Sequence, residues 1–333
     1  MIKKLTALIL IVALACLLLF AFPYISEYFS QTDKEGENIE FVIESGESIS
    51  NIASRLKEAN VIKNENVFKL KVRIDNVATK IQKGIFKLNT GMSLKSVVKT
   101  LITSGTEKTF TLTIPEGYSA EQIAKKLSDL NLCDYDDFMN ALDDDYDYSF
   151  LKNIPKKDYK IKLQGFLFPQ TYEFLIGETP HNIINTLLGE FEKQYSKIGD
   201  INNINFDTIT MASLVEREAK LDSERDIIAG VIKNRISSNM PLQIDASVVY
   251  FLSDGLYDID RVLYKDLEKD SLYNTYKYRG YPVGPICNPG IKSLKAALMP
   301  KHHDYLYYHT DETKKDGSHI FTKNYNEHLN TQN

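Results

Sequence analysis

The sequence has few of the residues that mark several common classes of protein. It holds 40 lysines and arginines against 45 aspartates and glutamates, so its net charge is −5 and no basic stripe favours nucleic acid as a partner. Tryptophan is absent, and the three cysteines, Cys16, Cys133 and Cys287, lack the spacing of a disulfide framework. A disulfide between Cys133 and Cys287 is possible, but nothing in the sequence supports it. The composition is otherwise that of a globular protein, long enough for two or three domains.

Several catalytic motifs are also missing. The chain contains no G-x-S-x-G, H-E-x-x-H, C-x-x-C or G-x-G-x-x-G, so common hydrolase, redox and dinucleotide-binding chemistries have no signal here. The histidines late in the chain fit no zinc spacing, and imidazoles on a tyrosine-rich hairpin are more often structural. They are His302, His303, His309, His319 and His328. We therefore expect no metal and no cofactor, which leaves chemistry performed by carboxylates.

The N-terminus carries a long apolar run. Lys3 and Lys4 precede an uncharged stretch, Leu5 to Phe22. A helix of this length roughly spans the hydrocarbon core of a bilayer. Residues 5–22 therefore predict a single-pass transmembrane helix at the cell membrane, with the N-terminus cytoplasmic and the remainder extracytoplasmic, because the lysines lie before the run. The alternative is a cleaved signal peptide, which is disfavoured because no small-x-small site followed by polar sequence occurs.

The chain then contains an internal repeat. The segment Phe41 to Ile62 aligns with Leu112 to Cys133, and Gly46 of the first copy matches Gly117 of the second. Each copy predicts a strand, a glycine turn and a capped amphipathic helix. Between them, Gly84 to Gly105 predicts another strand, turn and helix. The first copy resembles a LysM-like module, a small fold whose relatives often contact glycan; the alternative is a spacer that sets the height of the following domain.

These features predict an α+β protein with five parts. Residues 1–23 form the cytoplasmic tip and transmembrane helix, and 24–39 form a tether. A LysM-like small α/β module follows at 40–105. Residues 106–155 hold the second repeat and a linker, and 156–333 form a mixed α+β catalytic domain.

The catalytic half is organised around the stretch Ala212 to Tyr250. It predicts two consecutive helices and then an extended segment, with Asp207 as the cap of the first helix. Ser223 is the predicted cap of the second, and Asp226 three residues later makes a near-capping box. Each helix has an apolar stripe that should pack on a core. The stripes are Ile209, Ala212, Val215 and Ala219 on the first, and Ile227, Ile228, Val231 and Ile232 on the second.

Two glutamates flank the apolar face of the first helix. On a helical wheel Glu216 and Glu218 lie on opposite flanks, roughly 200° apart. A carboxylate at the edge of an apolar face is partly desolvated, which raises its pKa and suits it to act as a general acid. The alternative is that both glutamates are solvated beside Arg217 and Lys220, which is the commoner state of a surface glutamate. The wheel does not choose between the two carboxylates.

Other segments of this half predict ordinary elements. Pro180 to Tyr195 and Ser293 to Met299 predict helices. Met240 to Asp245 predicts an extended piece bounded by turns, which could lie along a substrate groove. Tyr305 to Tyr308 and His319 to Thr322 predict the two strands of a hairpin.

Four ordered blocks resemble the MltG (YceG-like) family of endolytic murein transglycosylases. They are Ala212 to Tyr250, Leu163 to Phe174, Tyr273 to Pro300 and Tyr305 to His328. The N-terminal half is similar in layout more than in motif. Members of the family usually have Asp where this chain has Gln170, which puts a charged role at that position in doubt.

The resemblance implies an enzyme that cuts peptidoglycan glycan strands. It would be a lyase that cleaves the MurNAc–GlcNAc β-1,4 bond without water and leaves a 1,6-anhydroMurNAc end. The second glutamate of V-E-x-E, here Glu218, would be the single acid and base. The residues implied to bind substrate or support the site are Glu216, Tyr172, Asn234, Gln243, Asp245, Tyr273, Asn274 and Tyr276.

The resemblance also implies proximity to glycan-polymerising and penicillin-binding synthases. The alternative function is a non-enzymatic peptidoglycan-binding scaffold, anchored by residues 5–22 and contacting glycan through the repeats. An intact V-E-x-E sequence favours the enzyme, because a scaffold has no need of it.

Overall fold

The structure is a computed structural model that describes residues 25, 26, 28, 35–43, 46–103 and 109–331. Within these residues no helix is both long enough and apolar enough to cross a membrane. The predicted transmembrane helix at residues 5–22 lies outside them. The chain divides into two compact units, residues 1–109 and 110–333.

Among the described residues from Asn38 to Thr103, the first unit has two antiparallel strands and three α-helices around its own core. Strand β1 (Asn38–Ile43) pairs with β2 (Gly84–Asn89), with Phe41 opposite Phe86. Helix α1 (Ile49–Glu58) begins at Ser48, whose side chain accepts from the backbone N–H of Asn51. The two further helices are α2 (Glu65–Ile74) and α3 (Leu94–Thr103). The strand, turn and helix predicted for Gly84–Gly105 are confirmed, whereas α2 was not predicted.

The second repeat forms part of the second unit. Strand β3 (Thr109–Thr113), a glycine turn at Gly117 with φ of +80°, and helix α4 (Ala120–Asp129) follow the predicted pattern. Strand β3 pairs with β4 (Thr171–Leu175) of the catalytic half. Its apolar residues, such as Leu112, lie in the same hydrophobic cluster as the catalytic helices. Residues 110–155 are thus packed with the catalytic half.

The catalytic half is mainly helical. After α5 (Tyr135–Ala141) come α6 (Pro180–Tyr195), α7 (Phe206–Glu218) and α8 (Arg225–Ser237). The bounds predicted for α6 are confirmed. Helix α7 is buried on more than its predicted stripe, because Thr210, Ser213 and Leu214 are also buried. It is therefore a central core helix rather than an amphipathic surface helix.

Shorter elements follow α8. They are α9 (Asp245–Leu252), α10 (Tyr264–Leu267), α11 (Ile291–Leu298), strands β5 (Tyr307–Thr310) and β6 (His319–Thr322), and α12 (Tyr325–Asn330). Strands β5 and β6 form the predicted antiparallel hairpin, with the first strand beginning two residues later than expected. Helix α9 replaces the extended structure expected to continue through Tyr250.

Both predicted helix caps in the central stretch are wrong. Helix α7 is capped by Asn205, whose side chain accepts from the backbone N–H of Asp207. Ser223 lies inside a short 3-10 turn, Asp222–Glu224, that precedes α8. The next helix begins with Glu224 at the cap position and without a side-chain cap bond, because that carboxylate is bonded elsewhere.

Candidate active site

Glu218 is the last residue of helix α7, at the point where the chain turns away from the core. Its Oε2 accepts a hydrogen bond of 2.7 Å from the hydroxyl of Tyr308. Among the described residues nothing donates to Oε1, and that atom is not one of the fully buried polar atoms, so it keeps some contact with solvent. Burial raises the pKa of Glu218, and the negative charge of Asp245 adds to the rise, while the Tyr308 bond opposes it. The carboxyl is thus suited to hold a proton and release it.

The β5–β6 hairpin supplies the partner of Glu218. Tyr308 lies opposite Phe321 in the hairpin, and its ring meets the ring of His319 edge-on, with centroids 5.4 Å apart. Glu224 accepts from the backbone N–H of His319 at 2.9 Å and contacts its Nδ1 at 2.7 Å. Because Glu224 precedes α8, this pair fixes the hairpin close to the end of α7. Burial raises the pKa of the Tyr308 hydroxyl well above its ordinary value, so it remains a donor.

A second carboxylate lies on the neighbouring segment. Asp245 begins α9, and its Oδ1 accepts from the hydroxyl of Tyr276. Thr275 joins the two segments, because its carbonyl accepts from the N–H of Gln243 at 3.1 Å and its Oγ1 accepts from the N–H of Ile244 at 2.9 Å. The pKa of Tyr276 is raised by burial and further by Asp245 and Glu218, so the tyrosine and both carboxylates share one site.

Arg235 braces this site through backbone carbonyls. Its Nε donates to the carbonyl of Leu306 at 2.6 Å, and its Nη1 donates to that of Leu242 at 2.7 Å. The guanidinium therefore ties α8 to two segments, one that leads into β5 and one that leads to Asp245. Desolvation lowers the pKa of Arg235, and the nearby Glu218 and tyrosines oppose that change. Among the described residues, no carboxylate forms an ion pair with it.

Glu216 has a different environment from Glu218, although it lies only two residues away. Its Oε1 accepts from Nη1 of Arg225 at 3.1 Å, and its Oε2 accepts from the N–H of Gly290 at 2.9 Å. The side chains of Glu216 and Arg225 are only 5% and 10% exposed. Arg225 also donates to Ser293 at the start of α11. Both oxygens of Glu216 are thus occupied in holding α7, α8 and α11 together.

Other predicted substrate-binding residues make structural contacts. Asn234 donates to the carbonyls of His303 and Tyr305 at 2.7 and 3.0 Å, which anchors the chain before β5. Tyr172 is buried, and its hydroxyl donates to the carbonyl of Phe168 at 2.6 Å. Their predicted roles in binding substrate stay predictions, and nothing in these contacts brings Tyr172 to Glu218.

The predicted Tyr273–Tyr276 block divides between core and site. Tyr273 is buried against Tyr250, and burial raises its pKa to about 12. Asn274 is 1% exposed and accepts from the N–H of Tyr276 at 3.0 Å, so it fixes the turn that presents Tyr276. Gln243 is exposed with φ of +53°, a left-handed backbone that non-glycine residues rarely adopt. Its side chain is open to solvent beside Asp245.

Sequence reasoning missed Tyr308, Arg235 and the pair of His319 with Glu224. Tyr308 and His319 lie in one of the quoted blocks, but the pattern there indicated only a tyrosine-rich hairpin. Their partners are about 90 residues away in the chain, which no local spacing reveals. The described residues contain no group of three or more side chains able to hold a metal ion.

The geometry suits acid–base chemistry by one carboxyl. Glu218 has a raised pKa, one oxygen held and one oxygen open. Asp245 shares the site and already accepts from Tyr276, so a polar substrate group would find both a charged acceptor and a hydroxyl beside the acid. Such an arrangement can protonate a leaving oxygen and then take a proton from an attacking hydroxyl.

Comparison with known proteins identifies relatives over most of the chain. The model of the YceG-like family matches residues 41–333. An endolytic murein transglycosylase of Bacillus subtilis is 36% identical over 323 residues, which cover 92% of this chain and 88% of that protein. An endolytic murein transglycosylase of Streptococcus pneumoniae is 28% identical over 342 residues, covering 93% of this chain and 60% of that protein.

A solved structure is also similar. The crystal structure of a YceG-like protein from Listeria monocytogenes has a TM-score of 0.56 and 31% sequence identity to this chain. The match covers 89% of this chain and 99% of the other. The similarity thus extends across both units of the chain.

Proposed function

This chain belongs to the YceG-like family, and we propose that it is an endolytic transglycosylase that cleaves the glycan strands of peptidoglycan. The relatives named for this activity supply the substrate class. The observation that carries the assignment to this site is the carboxyl of Glu218, which is desolvated at the end of α7 and which the described residues hold through Oε2 alone. A non-enzymatic scaffold would gain nothing from a carboxyl in this state.

In the proposed mechanism Glu218 acts twice. Its proton passes to the oxygen of the MurNAc–GlcNAc bond, and the C1–O bond of the muramyl sugar breaks. The muramyl 6-hydroxyl then attacks C1, and Glu218, now a carboxylate, takes the hydroxyl proton. No water is consumed, and the product is a 1,6-anhydroMurNAc end. Each proton transfer is of the kind that a positioned carboxyl typically accelerates by about 10²–10⁴-fold.

The surrounding polar groups are proposed to hold the strand. Asp245 and Tyr276 form a charged and hydroxyl pair beside Glu218, and Gln243 presents an exposed amide on the same segment. Glu216 is proposed to support the site and not to contact the sugar, because both of its oxygens are already bonded.

A substitution series tests these assignments. Glu218→Gln keeps the size of the side chain and removes the transferable proton, so we expect cleavage of purified glycan strands to fall to near background. The Tyr276→Phe variant is expected to fold and to cleave strands about tenfold more slowly, since it lacks one hydrogen bond to a charged group. Full activity in Glu218→Gln would exclude that residue as the acid.

The membrane anchor is a separate proposal. Residues 5–22 are proposed to remain attached and to hold the enzyme at the outer side of the cell membrane, close to the synthases that make the strands. The basis is the lysine flank and the uninterrupted apolar run. Fractionation with mapping of the mature N-terminus tests it; a soluble form starting between residues 17 and 40 would exclude the anchor.

The first unit is proposed to be a LysM-like module that adds affinity for glycan. The basis is the resemblance of Phe41 to Ile62 to such a module, and the unit also has its own core, in which Phe41, Leu56 and Phe86 are buried. The full chain and a chain lacking residues 40–105 should then differ in retention on insoluble peptidoglycan. Equal retention would favour the spacer alternative.

A further inference from the structure

The hydroxyl of Tyr308 reaches only one oxygen of Glu218. The bond to Oε2 is 2.7 Å, whereas no group among the described residues donates to Oε1, which keeps some contact with solvent. We propose that Tyr308 is a positioning residue that occupies Oε2 and so makes Oε1 the atom that gives and takes the proton. The inference rests on the proposed function and adds a residue on β5 to the control of the reaction.

The surroundings of Tyr308 keep its hydroxyl in place. Its ring is buried and packs edge-on against His319, which Glu224 holds through both the backbone N–H and Nδ1. The antiparallel register with Phe321 fixes the backbone of the strand. A side chain held on these sides cannot easily rotate away from the carboxyl, so the bond should persist through the reaction.

The direction of this hydrogen bond determines where the proton of Glu218 lies. The phenol donates to Oε2, and it stays protonated because burial raises the pKa of Tyr308 far above its ordinary value. The neutral carboxyl therefore carries its own proton on Oε1. That proton goes to the glycosidic oxygen as the C1–O bond breaks, and Oε1 then takes the proton of the 6-hydroxyl as the new O–C1 bond forms. Tyr308 loses no proton in either step.

Tyr308 also sets the pH range in which Glu218 can act as an acid. Its donated bond favours the charged carboxylate, so it lowers the pKa that burial has raised. Other groups act on the same carboxyl from each surrounding element. They are Arg217 on α7, Arg235 on α8, Asp245 on α9, Tyr276 on the following loop and His319 on β6.

Tyr308→Phe tests the inference, and Tyr307→Phe is the matched control. Tyr307 is the neighbouring residue of β5, and its ring lies under Arg235 and not against Glu218. In Tyr308→Phe we expect turnover at the optimum to fall about tenfold. The decline of activity at alkaline pH, which reports ionisation of Glu218, should move upward by about one pH unit. The control should keep the wild-type pH profile.

A second substitution covers the case in which Tyr308→Phe does not fold. Incorporation of 3,5-difluorotyrosine at position 308 keeps the ring and makes the hydroxyl a stronger donor. The alkaline decline should then move to lower pH, opposite to the shift expected for Tyr308→Phe. If Tyr308 had a merely structural role, both variants would lose activity equally at every pH, and the alkaline decline would stay at the wild-type pH in each.

The outcomes separate this inference from the proposed function. If the wild-type enzyme produces no anhydro ends, the proposed function fails whatever the variants do. If it produces them and the alkaline decline stays at the wild-type pH in both position-308 variants, only the role of Tyr308 is refuted. Opposite shifts in the two variants would support it.

Discussion

Replacing Glu216 with glutamine should damage stability more than chemistry. The change removes a charge whose two oxygens accept from Arg225 and Gly290, at a place where the side chains of Glu216 and Arg225 are 5% and 10% exposed. The glutamine keeps one acceptor oxygen, but its amide NH2 replaces the other oxygen. This NH2 group then faces an N–H donor and cannot accept a hydrogen bond from it. Arg225 keeps its bond to Asp222, which is 55% exposed and compensates only in part.

The expected magnitude follows from these contacts. Breaking a buried ion pair typically costs about 3–5 kcal/mol, because a buried charge is left without its partner. The retained acceptor and Asp222 reduce this to about 2–3 kcal/mol of unfolding free energy for Glu216→Gln. In a domain of this size each kcal/mol lowers Tm by about 2–4 °C, so a fall of about 4–12 °C is expected.

Thermal unfolding followed by circular dichroism measures the effect, with Glu218→Gln as the matched control. Glu218 accepts a single hydrogen bond from the described residues and its burial penalises the charge, so its replacement should leave Tm unchanged or higher. Strand cleavage should show the reverse order, with the larger loss in Glu218→Gln. A Tm for Glu216→Gln within 2 °C of wild type, as a rough threshold, would refute the anchoring role of Glu216.

Three further predictions concern backbone, pH and the joint between site segments. Gly165→Ala should destabilise by about 1–3 kcal/mol in urea unfolding, since φ is +95° and a Cβ would lie 2.8 Å from Ile209; Gly177→Ala, where φ is +82° and nothing lies within 4 Å, should cost less. The folded pKa of Glu218 is raised, so wild type should lose stability relative to Glu218→Gln as pH rises from about 4.3 through that pKa, and a constant difference would refute this. Thr275→Val should lower the free energy of unfolding in urea by about 1–3 kcal/mol and lower strand cleavage, because the N–H of Ile244 loses its acceptor. Wild-type stability and cleavage would show that Thr275 does not hold the two segments together.

The periodic parts of the fold were predictable because local pattern determines them. Helix α6 has a clear apolar stripe and a proline at its start, and the repeats have a serine cap after a glycine turn. Helix α9 was missed because its residues, Ser247 to Phe251, include β-branched and aromatic side chains that also suit a strand. In this case burial against α7 decides the structure.

The caps around the site failed for a reason that concerns the site itself. Ser223 and Asp226 have the spacing of a near-capping box, yet α8 begins at Arg225 after a 3-10 turn. Arg225 donates a hydrogen bond to Glu216. The carboxylate of Glu224 contacts His319 and therefore does not cap the helix. These contacts are long-range, so they override the local preference that the sequence displays.

The candidate site was predictable only in part. The resemblance selected Glu218. Helical spacing predicted partial desolvation for Glu216 and Glu218 alike and did not choose between them, and the structure shows a raised pKa for Glu218. The partner Tyr308 and the brace Arg235 could not be found from spacing, because each meets the site through distant segments. The side chains of Asn234 and Asn274 donate to backbone carbonyls, which is a structural role. Their roles in binding substrate stay predictions.

Mass analysis of the new glycan ends tests the central claim most directly. Purified strands would be digested with the wild-type enzyme and, in parallel, with Glu218→Gln. An anhydro end is lighter than a reducing end by one water, about 18 mass units, because the muramyl 6-hydroxyl and not water captures C1. The account predicts anhydro ends from wild type and almost no new ends from the variant. Reducing ends as the main wild-type product would show attack by water, with Asp245 as a second carboxylate, and would contradict the transglycosylase mechanism.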